Sequence, residues 1–188
     1  MLRVLKNNLD KNAVLYLVIY AFLSRALLFF IYTDYSIYPD SGGYIDLGKQ
    51  LSELDLSGYS GKRTPGYPSI IALVGNNLII VKTIQLILGI ISSFLIFNLI
   101  IKETRNKFIA LVSTVFITSF VHLAFFEVAI LTESLSLFVL VLTFWFIKTK
   151  KCLDSNIKYF NVFILSILFA YLYLIRPMFI YIAIVFAL

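Results

Sequence analysis

Charge is scarce in this 188-residue chain: Asp, Glu, Lys and Arg together make up 14%, against 61% hydrophobic residues. Soluble domains carry about 25% charged and roughly 45–50% apolar residues. A water-soluble globular fold is therefore excluded, and an all-α integral membrane protein is expected. Cysteine is nearly absent as well. Cys152 alone can form no disulfide within the chain, and with His122 as the single histidine no Cys/His metal cluster can assemble. The first apolar run is too long for a signal peptide and lacks a small-residue cleavage pattern, so it reads as a retained span. Gly42-Gly43 is no phosphate loop, because no strand precedes it and no G-K-[ST] follows. Nor does the net charge of +6 point to nucleic acid, since the basic residues cluster in short loops between apolar runs. The abundant Phe and Tyr are membrane composition rather than a base-stacking code.

What the chain does have is apolar length. A helix needs about 20 apolar residues to cross the hydrocarbon core. Residues 13–32 satisfy that, interrupted by Ser24 and Arg25. The run over 69–101 is too long for one crossing, and Gly75-Asn76-Asn77 is its natural break. It divides into a short interfacial helix over 66–75 and a span over 79–101, with Lys82 near the outer end, where it is expected to snorkel. The run over 108–147 divides around Glu127 and Glu133 into spans at 108–126 and 130–147, with Trp145 as an interfacial anchor. A fifth span covers 159–175. A sixth run starts at Met178 and stops after 11 residues at Leu188, which predicts that the C-terminal part of the bundle is missing. The expected architecture is a polytopic transmembrane helix bundle in one membrane domain.

Charge orients it. Arg3, Lys6 and Lys11 precede the first span; Lys102, Arg105 and Lys107 follow the second; Lys148, Lys150, Lys151 and Lys158 follow the fourth. By the positive-inside rule these segments are cytoplasmic. Seven of the ten carboxylates, Asp34, Asp40, Asp46, Glu53, Asp55, Glu127 and Glu133, then fall at the outer face. The outer loop over 33–78 holds Y-P-D-S-G-G-Y and G-K-R-T-P-G-Y-P. Between these motifs Tyr44, Leu47, Leu51 and Leu54 recur at helical spacing, which predicts a second interfacial helix.

Several residues bear two readings. Asp40 is either a helix N-cap or, with Glu133, one of two carboxylates that act as general base and as orienting group or divalent-metal ligand. Glu133 is otherwise an ordinary acid at an interfacial turn. Lys62 and Arg63 are solvated loop cations or the binding groups for a lipid phosphate, since a guanidinium binds its oxygens bidentately. Pro65 and Pro68 fix the backbone that presents Arg63 and Tyr67. Arg176 is a snorkelling anchor or a second phosphate contact. Arg25, inside the first span, faces the bundle and pairs with an acid or a carbonyl. His122 fits a satisfied core group better than a site residue, and Glu127 is a further candidate.

These motifs resemble the GT-C superfamily of polyprenyl-phosphate-dependent glycosyltransferases, in the branch of the protein O-mannosyltransferases and lipid A aminoarabinose transferases. The resemblance rests on D-x-x-x-Y from Asp40 to Tyr44, on R-T-P-G-Y-P from Arg63, on T-E-x-L from Thr132 to Leu135, and on Arg176-Pro177. It covers nearly the whole chain and lies in the order of these motifs against the spans. The resemblance implies Asp40 as catalytic base or metal-associated acid, Glu133 as the second acid, and Arg63 at the carrier phosphate. Ser41 stands where many members carry a second acid. Tyr44 and Tyr67 join the substrate-binding candidates.

The expected partners are a polyprenyl-phosphate-linked sugar, an acceptor glycan, lipid or protein, and the bilayer of a plasma membrane. Two rival readings stand beside this one: a transporter or flippase of lipid-linked sugar, and a catalytically inactive remnant serving as an interaction module.

Overall fold

The computed structural model describes residues 2–150, 152 and 158–187, with side chains for 11–150, 152 and 158–186. Lys151 of the expected basic loop lies outside the described residues, as do the side chains of Arg3 and Lys6.

Every regular element among the described residues is helical. They are α1 (Leu2–Ile31), α2 (Ser41–Glu53), α3 (Pro68–Leu73), α4 (Leu78–Thr104), α5 (Lys107–Thr118), α6 (Val121–Val128), α7 (Glu133–Lys150), α8 (Tyr159–Ile175), and α9 (Ile180–Ala187) after a 3-10 turn over Pro177–Phe179. Two helices are long and apolar enough to cross a membrane: Lys11–Ile31 within α1, and α4 with 27 residues. The bent pair α5–α6 makes a third if it counts as one span.

The break expected at Gly75-Asn76-Asn77 is present. Gly75 and Asn76 have φ of 63° and 62°, and the Asn77 side chain caps α4 by accepting from the Ile79 and Ile80 amides at 3.1 and 3.2 Å. The two short helices expected in the loop also form, as α2 and α3.

The continuous span over 108–126 does not form. The chain bends by 59° between α5 and α6, with neither glycine nor proline at the break. Hydroxyls cause it instead. Thr118 Oγ1 donates back to the Thr114 carbonyl at 2.7 Å and lies 3.1 Å from the Tyr20 hydroxyl, which in turn lies 2.7 Å from Ser119 Oγ. Side chains thus compete with the helical ladder where it ends. The span expected over 130–147 starts later, at Glu133, because the chain leaves α6 extended at Ala129 and then bends over 130–132, where Leu131 N donates back to Ala129 O at 2.9 Å. There Ser36 and Ala129 form a parallel bridge, with Ser36 N donating to Val128 O and Ile130 N to Ser36 O, both at 3.0 Å.

Two apolar clusters hold the helices. One joins Tyr44, Tyr67, Ile71, Val81, Leu135 and Ile175, bringing α2, α3, α4, α7 and α8 together at one end. The other packs Ala13 and Leu17 of α1 against Phe97, Ala110 and Leu111 at the opposite end.

Lys82 does not snorkel. It is fully buried, and its ammonium donates to the carbonyls of Tyr32 at 2.8 Å and Thr33 at 3.1 Å while lying 4.8 Å from the Phe29 ring centroid. The carbonyls past the end of α1 lack helical partners, so a cation there satisfies them and complements the helix dipole.

Candidate functional site

The site begins with a chain reversal. α2 ends at Leu54, whose left-handed φ of 56° turns the backbone. Asp55 Oδ1 then accepts from the Ser57 amide at 2.9 Å, and this bond holds the Asp55 carboxyl below its usual range. The loop closes when the Tyr59 hydroxyl donates to the Arg63 carbonyl at 2.6 Å.

Arg63 therefore returns over the start of α2. Its Nη2 donates to Asp40 Oδ1 at 2.5 Å, and its guanidinium lies 4.7 Å from the Tyr44 ring centroid. The bond to Asp40 pushes the Arg63 pKa above its already high ordinary value, so it stays charged. Asp40 makes no side-chain cap to α2. Asp40 thus occupies the N-cap position without capping: its carboxylate bonds the Arg63 guanidinium, and Ser41 Oγ accepts from the Tyr38 amide at 2.9 Å.

The segment after Arg63 docks on the end of α8. Thr64 Oγ1 donates to Ile175 O at 3.1 Å, Gly66 N to Leu174 O at 2.9 Å, and the Tyr171 hydroxyl to Gly66 O at 3.2 Å. A Cβ on Gly66 would stand 2.5 Å from the Leu174 carbonyl carbon, so only glycine permits this approach. Pro177 ends α8, and Arg176 leaves it in extended conformation. Arg176 Nη2 donates to Glu133 Oε1 at 2.5 Å at the first residue of α7.

An open cleft of about 360 Å³ results, walled by Asp40, Tyr44, Lys62, Arg63, Thr64 and Arg176. Glu133 stands behind Arg176. The two carboxylates meet the same cleft through separate arginines rather than facing each other as a dyad. Asp40 is the more open, with its side chain 63% exposed against 23% for Glu133.

Tyr67 lies beneath the cleft, not in its wall. It is 1% exposed, donates its hydroxyl to Gln85 Oε1 at 2.6 Å, and meets Tyr44 edge to face at 5.5 Å. Burial pushes its phenol well above the usual range.

The chain reverses between Glu127, in the last turn of α6, and Glu133, the first residue of α7. Glu127 is buried in α6 and paired bidentately with Arg25, at 2.9 Å to Nε and 2.7 Å to Nη2, which is the acid partner expected for that arginine. A Cβ on Gly89 would collide with this carboxylate. A small cavity of about 10 Å³ lies between α4, α6 and α7, lined by Gly89, Ser92, Glu127, Glu133 and Ser134. Such a volume is about the least that holds one water. His122 is exposed on α6, stacked on Phe120 at 5.4 Å, and does not line the cleft. It is therefore not the core group expected for it.

One oxygen of each carboxylate already accepts from an arginine, Asp40 Oδ1 from Arg63 and Glu133 Oε1 from Arg176. Among the described residues, no three His, Cys, Asp or Glu side chains gather that could hold a metal.

Sequence reasoning overlooked Gln85. Its amide nitrogen donates to Ala129 O at 2.8 Å and Glu127 O at 3.1 Å, tying α4 to the extended segment before α7 and to Tyr67. A signal was present: Lys82, Gln85, Gly89 and Ser92 recur at three- and four-residue steps and so form a polar stripe on an otherwise apolar helix.

Compared with family models, curated proteins and solved structures, the chain matches none of them.

Proposed function

We propose that this chain is a multi-pass membrane glycosyltransferase of the GT-C type. In this reading it moves a sugar from a polyprenyl-phosphate carrier to an acceptor hydroxyl or amine at the non-cytoplasmic face of a plasma membrane, with its N-terminus cytoplasmic. The observation that carries the reading is the docking of Thr64 onto Ile175, 111 positions apart, which sets Lys62, Arg63 and Arg176 around one cleft beside Asp40.

Three cations around this open cleft suit a phosphate leaving group, whose charge grows as the glycosidic bond breaks. Each arginine rests on a carboxylate. An incoming phosphate competes for both guanidiniums, and as Arg63 turns to it the Asp40 carboxylate is released as a base. The acceptor oxygen or nitrogen then forms its bond to the anomeric carbon as the bond from that carbon to the phosphate oxygen breaks. The electron pair of that bond stays on the phosphate, Asp40 takes the acceptor's proton, and in-line attack inverts the carbon.

Asp40→Asn keeps the shape but not the basicity. Transfer from a polyprenyl-phosphate sugar, followed with radiolabelled donor in proteoliposomes, is expected to fall by about 10²–10⁴-fold while insertion is unchanged. Wild-type turnover in that variant rules out Asp40 as the base.

One observation favours a second reading, a carrier of lipid-linked sugar. The broken pair α5–α6 beside the buried Arg25–Glu127 ion pair has the form of the discontinuous helices of transporters. Movement of the intact lipid-linked sugar between leaflets, without its consumption, distinguishes that function.

A further inference from the structure

The end of the bundle remote from this cleft carries a second concentration of charge. Lys82, near the start of α4, meets the end of α1, so the two helices run antiparallel and the end of α4 lies by the start of the apolar part of α1. Only Arg105 and Asn106 separate α4 from α5, and Arg105 makes the turn with a left-handed φ of 52°. The cluster of Ala13 and Leu17 with Ala110 and Leu111 clamps α1 against α5. Lys11 is thereby set across from the turn, and Lys11, Arg105, Asn106 and Lys107 line one open cleft of about 430 Å³.

The three cations are exposed, and none of their charged side-chain groups has a hydrogen-bond or ion-pair partner among the described residues. Their neighbours at this end are engaged: Lys148 with Glu103 at 2.5 Å, and Lys102 with Thr149 Oγ1 at 2.6 Å. Asn106 Oδ1 accepts from the Ile109 amide at 3.1 Å, and the positive charge at the cleft comes from Lys11, Arg105 and Lys107.

Depth and surroundings identify the anion. The 27 residues of α4 span about 40 Å at 1.5 Å each, close to the roughly 40–45 Å between the headgroup layers of a bilayer. If α4 crosses, the basic cleft lies at headgroup level. Immediately after these cations in sequence come exposed apolar residues, Val14 and Leu15 on α1 and Ile109 and Val112 on α5. A free phosphate has no use for an apolar flank, whereas a phospholipid presents an anion and acyl chains together.

We propose that Lys11, Arg105 and Lys107 form a binding site for the phosphate of one anionic phospholipid. The site rests on the membrane reading of the chain and not on glycosyl transfer. Basic pockets between membrane helices bind such headgroups.

The test is thermal unfolding of the full chain in neutral detergent, at matched ionic strength, with short-chain phosphatidylglycerol, phosphatidylcholine or inorganic phosphate added. Phosphatidylglycerol is expected to raise the midpoint by roughly 3–5 °C when well above its Kd, and the other two are expected to leave it unchanged. The triple variant Lys11→Gln/Arg105→Gln/Lys107→Gln should lose this shift. Lys148→Gln, which removes a charge outside the cleft, should keep it. If the triple variant does not fold, the single variants serve, each binding phosphatidylglycerol about fivefold more weakly. An equal shift with phosphatidylcholine, or one that survives removal of the cations, overturns the site. An equal shift with inorganic phosphate overturns its assignment to lipid.

Discussion

Arg25 and Glu127 are both buried, and each is the reason the other can be charged there. Desolvating one ion costs several kcal/mol, and mutual attraction offsets this only while both remain. Arg25→Met or Glu127→Leu alone is therefore expected to destabilise by about 3–5 kcal/mol in detergent unfolding, and the double variant by much less. Additive losses would refute the coupling. Tyr67 poses a smaller version of the same problem. Tyr67→Phe leaves Gln85 Oε1 without its donor at 2.6 Å, for an expected loss of about 1–3 kcal/mol. Because Tyr67 lies below the cleft, its effect should appear in the unfolding midpoint and not in ligand affinity.

At the scale of elements, the decisive contact is between the segment after Arg63 and the end of α8. Gly66→Ala forces a methyl against Leu174, so the two elements are expected to separate. A Thr64→Cys/Ile175→Cys pair on a Cys152→Ser background should crosslink readily with glycine at 66 and poorly with alanine. Equal yields would show that the docking does not depend on that close approach. Much of this layout was legible in the sequence. Gly75-Asn76-Asn77 announced the start of α4, and the period of Tyr44, Leu47 and Leu51 announced α2, because both signals act within a few residues. The break between α5 and α6 was not legible, since Thr118 and Ser119 end the helix through Tyr20, a hydroxyl from another element.

For the molecule as a whole, orientation is the remaining proposal to test. Cys152 is the only cysteine, so Cys152→Ser provides a background for single labels. A cysteine at Ser57 should react with an impermeant maleimide added outside sealed cells, and one at Thr104 only after permeabilisation. The reverse pattern would invert the topology and remove the cleft from the outer face. Both positions are exposed, so neither label requires unfolding.

Composition and periodicity alone determined a helical protein with helices long and apolar enough to cross a membrane, many of its element boundaries, and the residues bearing charge in an apolar chain. These follow from how each stretch partitions between water and lipid, a property of neighbours along the chain. Which charges meet was decided only by the packing. Arg63 found Asp40, Arg176 found Glu133, Arg25 found Glu127, and Lys82 found the end of α1. An ion pair between distant positions depends on how whole helices turn their faces to one another, and no local spacing encodes that.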